Sequence, residues 1–166
     1  MQGFLPGIRS RSKIIKKSVF ESLVEKAFWG LESRFGFKKI ETRFLKRSVT
    51  VLFQNATTQI LLNYEIGNKP WLEIADVKKP GNKTTLGWLL VEAGVDQPPL
   101  PEQAFHPTKL NEDKLESVLQ SMGQQLLDQA VDLLKGDFTR MPRLQERASK
   151  YARECDRYLA IRKPKS

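Results

Sequence analysis

A chain of 166 residues, 40% apolar and 28% charged, holds enough material for one hydrophobic core without covalent cross-links. Its 28 basic against 19 acidic residues give a net charge of +9, while a single cysteine, Cys155, excludes an internal disulfide and, with a lone histidine far from it at His106, cannot supply the ligands of a zinc site. No run approaches the roughly 18 apolar residues of a membrane helix, and Met1 to Gly7 lack the basic-then-apolar order of a secretory signal, so a reducing, cytoplasmic setting is expected.

The charge is unevenly spread. Residues 1–47 carry a net +8, residues 48–134 a net −5 and residues 135–166 a net +6. Residues 1–12 contain Gly3, Pro6 and Gly7 with alternating Arg and Ser, and are expected to form an irregular basic arm ahead of a single domain spanning 13–166. From Lys13 onward the pattern turns helical. Phe20, Leu23, Val24, Ala27, Phe28, Leu31 and Phe35 recur at spacings of three and four, with Ser18 and Glu21 as a capping box and Gly36 as the terminator.

Four strands are expected next. Ile40, Thr42 and Phe44 alternate with Glu41, Arg43 and Leu45, and Val49, Val51 and Phe53 alternate with Thr50, Leu52 and Gln54. Ile60, Leu62, Tyr64 and Ile66 alternate with Gln59, Leu61, Asn63 and Glu65, and Trp71 to Val77 forms a less regular fourth run. Links this short permit only antiparallel hairpins, hence a four-stranded meander. The Asn55-Ala56-Thr57 and Asn82-Lys83-Thr84 triplets read as turns rather than glycan acceptors. Thr84 can cap a short helix from Leu86 to Ala93, with an extra strand as the alternative. The proline-rich stretch 96–107 reads as a stiff connector.

Asn111 is expected to cap one long helix whose apolar face runs from Leu115 through Leu119, Met122, Leu126 and Ala130 to Leu133 and Leu134, ending at Gly136. A final helix begins near Pro142, with a seam of Leu144, Ala148, Tyr151, Cys155, Tyr158 and Leu159, and stops before Pro164. The expected fold class is α+β: a four-stranded antiparallel meander with N-terminal and C-terminal helices packed on one face.

No catalytic, cofactor-binding or metal-binding residues are nominated. Cys155 falls on the apolar seam, where a thiol acts as a small hydrophobe, and His106 falls in the connector. If Ile66 pairs with Trp71, Glu65 and Glu73 point to opposite faces, which argues against a shared proton. Neither G-x-G-x-x-G nor G-x-x-x-x-G-K-[ST] occurs. Two basic features remain: Arg9, Arg11, Lys13, Lys16 and Lys17 at the start, and Arg143, Arg147, Lys150 and Arg157 on one face of the last helix, interrupted by Glu154. Such stripes suit a nucleic-acid backbone or an acidic partner, and equally a solvated surface.

Phe28-Trp29-Gly30-Leu31 through Phe35-Gly36-Phe37, leading straight into antiparallel strands, and Leu133-Leu134-Lys135-Gly136-Asp137-Phe138 before a short final helix together resemble segments of small bacterial proteins of unassigned function, some of them similar to toxin-immunity proteins. The resemblance implies a cytoplasmic, non-enzymatic protein that binds another protein, and it supplies no catalytic residue. The basic arm departs from a typical immunity protein unless the partner is acidic. A protein-binding domain is therefore the first expectation. A nucleic-acid-associated protein using the basic arm and the last helix is the second, and no membrane is involved in either.

Overall fold

The first apolar stripe becomes helix α1 (Lys17–Phe35), which buries Phe20, Val24, Phe28 and Leu31 along one face. The computed structural model describes residues 15–100 and 108–162, so the expected arm 1–12, Lys13, His106 and the segment after Arg162 lie outside the described residues. The expected capping box does not form. Lys16 occupies the N-cap without a side-chain bond, its carbonyl accepts from the N–H groups of Val19 and Phe20, and Ser18 is already inside the helix. Gly36 does end the helix, at φ 68°, a left-handed conformation that costs a glycine little; its N–H donates to the Glu32 carbonyl at 3.1 Å.

Strands β1 (Lys38–Phe44), β2 (Ser48–Gln54), β3 (Thr58–Glu65), β4 (Trp71–Asp76) and β5 (Lys83–Thr85) form one antiparallel sheet in the order of the chain. The sheet has five strands where four were expected. The turn after β4 closes when the Asp76 N–H donates to the Asn82 carbonyl at 3.1 Å, which lets Lys83 to Thr85 pair with β4 before helix α2 (Leu86–Glu92) begins. Thr84 is thus a strand residue opposite Ile74, and Thr85 takes the N-cap.

Burial alternates strictly along β2 and β3: Val49, Val51, Phe53, Ile60, Leu62 and Tyr64 are buried, and their neighbours are not. In β1 the register shifts between Lys39 and Glu41, and this bulge leaves Ile40 56% exposed instead of on the core side with Thr42 and Phe44. The β3–β4 register also differs from expectation. Asn63 pairs with Trp71 and Leu61 with Glu73, which puts Glu65 and Glu73 on the same face. They are still separated by four residues of strand, about 13 Å, too far to share a proton.

The helical layer is completed by α3 (Leu115–Gln129), α4 (Val131–Leu134) and α5 (Met141–Arg162). The Asn111 side chain does cap this region, accepting from the Asp113 N–H at 3.2 Å, although the first turn is a 3-10 turn, Glu112–Lys114. The long helix expected to run to Leu134 breaks at Ala130. There the Gln129 carbonyl is taken by the Arg140 guanidinium and leaves the helical ladder. Close approach of α1 and α3 depends on Gly123, where a Cβ would lie 2.1 Å from the Ala27 carbonyl oxygen. All these helices bury their apolar residues against the Val51–Ile60–Leu62–Ile74 side of the sheet, and each large side chain there contributes about 1.5–3 kcal/mol. In α5, Leu144 and Cys155 are buried as expected, but Leu159 is exposed.

Candidate interaction surface

The strands that bury Val51 and Leu62 present their alternate residues to the opposite side. Cross-strand pairing lines these up as Glu41, Leu52, Leu61, Glu73 and Thr85 in one row and as Arg43, Thr50, Asn63 and Trp71 in the next. Leu52 and Leu61 are half-buried and stand outside the core cluster, and Trp71 is 49% exposed. Around them the face is polar and internally bonded. Thr50 Oγ1 donates to Asn63 Oδ1 at 3.1 Å, Gln59 Nε2 to Gln54 Oε1 at 2.9 Å, and Lys83 pairs with Glu73 at 3.1 Å. The Asn63 side-chain nitrogen is shielded from water yet has no hydrogen-bond partner among the described residues.

One end of this sheet gathers cations. Lys17 lies 4.8 Å over the Phe44 ring and Phe20 stacks on Tyr64, which brings the start of α1 beside the β1–β2 turn. The Ile66 N–H donates to the Arg47 carbonyl at 2.9 Å, the Lys69 N–H to the Thr108 carbonyl at 2.7 Å, and Asn68 bridges to Lys109. Lys16, Lys17, Lys46, Arg47, Lys69 and Lys109 therefore share one end of the domain, and all are exposed. Glu65, which accepts from Asn68 Nδ2 at 2.9 Å, and Glu112 are acidic groups at the same end. Tyr64 closes the core beneath them. Burial raises the pKa of its hydroxyl above the usual tyrosine value, the Gly67 amide opposes that rise and the Glu112 carboxylate adds to it.

The sequence-nominated cations fall into two separate places. Lys16 and Lys17 join the turn residues just described, whereas Arg143, Arg147, Lys150 and Arg157 ride on α5. The helical layer runs α1, α3, α2, α5, so two helices stand between the clusters. Arg143 is committed to Glu92, which also receives Arg140 at 3.1 Å; Arg140 further bonds Asp132 at 2.7 Å. That ion cluster ties α2 and α4 to α5. Arg147, Lys150 and Arg157 are exposed and carry no carboxylate partner among the described residues. Pro99, near the start of the connector, is held on α5, where the Tyr151 hydroxyl donates to its carbonyl at 2.7 Å.

Comparison with protein-family models, curated proteins and solved structures finds no significant match. Function must be read from the surface itself.

Among the described residues no group of three or more His, Cys, Asp or Glu is placed to hold a metal ion, and no helix is long and apolar enough to cross a membrane. Cys155 is a free thiol buried on α5. Sequence reasoning nominated neither the outer sheet face nor the turn cations. A signal for the face was present: Leu52 and Leu61 occupy positions of the alternation that a solvated face gives to polar residues. Lys46, Arg47 and Lys69 looked like ordinary turn residues, because nothing local says that two turns, the bridge at Lys109 and a helix start meet.

Proposed function

We propose that this chain is a non-enzymatic protein-binding domain that takes its partner on the open face of its sheet, by complementarity of shape and polarity. One observation carries the reading: Leu52 and Leu61 form a cross-strand apolar pair outside the core, flanked by exposed Trp71 and by the Thr50–Asn63 and Gln54–Gln59 pairs. An apolar centre with a tryptophan, bordered by neutral hydrogen-bonded pairs and by the ion-paired Glu41 and Glu73, has the apolar core and polar rim of a protein interface, where a few desolvated anchors supply most of the affinity. The unsatisfied Asn63 donor adds a group that a partner carbonyl can satisfy. This reading agrees with the immunity-like resemblance of the two sequence segments, whose implied action is binding without chemistry.

A test compares the intact chain with the Leu52→Glu, Leu61→Glu double variant. Both should keep the same circular dichroism spectrum and melt cooperatively, and the intact chain should recover a protein partner that binds again, one to one, after purification. The variant should lose that partner. Equal recovery by both chains would overturn the reading, as would turnover of a small molecule with no protein bound.

A second reading, a nucleic-acid-associated protein, draws on the exposed cations of α1 and α5. Its signature is affinity that falls steeply with salt, lost when Arg147 and Lys150 become Glu.

A further inference from the structure

We infer that the partner docking on the open sheet face is an acidic protein, steered and registered by the cationic end of the domain where Trp71 lies. The inference rests on the open-face reading and names the chemistry of the occupant.

Elsewhere beside the sheet three cations are matched within the chain, whereas Lys38, Lys78 and Lys79 have no carboxylate partner among the described residues. Lys39 pairs with Glu25 at 2.7 Å, Arg43 with Glu41 at 2.9 Å and Lys83 with Glu73 at 3.1 Å. At the Trp71 end the unmatched cations gather closest together. Lys16, Lys46, Arg47 and Lys69 have no carboxylate partner among the described residues, and Lys109 reaches only the Asn68 amide oxygen at 3.4 Å. Four of these cations sit on tight turns or a helix start, so their backbones are held in place. Such a group attracts negative charge at long range and leaves the apolar pair beside it to supply the contact.

The side chains around the cluster decide which anion it suits. Single-stranded nucleic acid binds across successive aromatic platforms, one base stacked on each. Here the exposed apolar side chains near the cations are Val19 and Leu45, and on the adjoining face Leu52 and Leu61; Trp71 is the one aromatic exposed on that face among the described residues. Aliphatic contacts beside neutral amide pairs suit a polypeptide surface carrying Asp and Glu. Acidic groups accompany both clusters, Glu65 and Glu112 at the turns and Glu146, Glu154 and Asp156 on α5, but the turn cations are the ones that lie at the Trp71 end of the open face.

The experiment titrates a short poly-L-glutamate peptide, and separately a single-stranded oligothymidine of equal charge, into three full-length chains: unaltered, Lys46→Glu with Arg47→Glu, and Arg147→Glu with Lys150→Glu. The two double variants change net charge equally, so any difference between them reports location. Polyglutamate should shift the backbone amides of the Lys46–Ser48 and Gly67–Trp71 turns. It should bind the turn variant about tenfold more weakly than the unaltered chain, and the helix variant within about twofold. Equal weakening by both variants would reduce the effect to net charge and overturn the inference. Tighter binding of oligothymidine would overturn it in favour of nucleic acid. If the partner recovered above is lost by the Leu52→Glu, Leu61→Glu chain but held unchanged by the turn variant, the open-face reading stands and the acidic-partner inference falls.

Discussion

Leu61 and Leu62 are neighbours in the same strand with the same side chain, and they live in different environments. Leu62 is fully buried beneath the helices, among Val51, Ile60 and Ile74, whereas Leu61 faces outward beside Leu52 and is only half-buried. The strand supplies both faces equally, since its period is two. What separates them is the helical layer, which covers one side and leaves the other to the cross-strand pairs of Thr50 with Asn63 and Gln54 with Gln59. An apolar residue left on the uncovered side therefore tells more about binding than a dozen on the covered one.

The contrast is open to direct attack. Leu62→Glu should cost more than about 4 kcal/mol and leave little folded protein, while Leu61→Glu should cost within about 1 kcal/mol, as judged by urea denaturation of the two chains. Similar losses at both positions would mean that the outer face is not open. On the covered side, Gly123→Ala should destabilise by about 3 kcal/mol, because its Cβ would press on the Ala27 carbonyl and force α1 and α3 apart. A calorimetric melting point unchanged from the unaltered chain would contradict that close approach.

A smaller effect is expected at the edge between the two faces. Asn55 donates to the carbonyls of Phe35 at 3.1 Å and Leu134 at 3.0 Å and accepts from the N–H of Thr58 at 2.8 Å, so it fastens the end of α1, the β2–β3 turn and α4 together. Asn55→Ala should cost about 2 kcal/mol, and faster amide exchange should appear in all three segments rather than in the turn alone.

The smallest effect concerns Tyr64, whose hydroxyl is buried with no hydrogen-bond partner of normal geometry among the described residues. Burial raises its folded pKa above the unfolded value of about 10. The contribution to stability is therefore fully present below the unfolded pKa and is lost as pH rises through the folded one. Tyr64→Phe should change stability by less than about 1 kcal/mol at neutral pH and reduce the loss of stability on going to alkaline pH. Denaturation midpoints of the two chains at neutral and strongly alkaline pH check this, and parallel losses in both would assign the alkaline effect elsewhere.

Much of the architecture is written in local pattern. Helical spacing marked α1, Gly36 marked its end, and alternation marked the four main strands with short links that force antiparallel pairing. The expectations that differ share one cause: each depended on a contact between distant residues. The bulge at Ile40 is set by how β1 pairs with β2, and the fifth strand by a turn that closes onto β4. The break at Ala130 accompanies an arginine ten residues further along the chain. The register between β3 and β4 differs from expectation by three residues, and an odd shift reverses which residues of the two strands share a face, which is why Glu65 and Glu73 were set on opposite sides.

The same division holds for the surface. By itself the sequence determined that the chain forms an α+β domain with basic ends, one uncommitted thiol and two leucines at outward positions of its strands, because these follow from composition and periodicity. Tertiary structure alone decided that the helices cover a single side. It also decided that Lys16 and Lys17 meet Lys46, Arg47 and Lys69 rather than the cations of α5. Residues far apart in sequence become neighbours only through the register of strands and the packing of helices, and an electrostatic surface is a property of those neighbours.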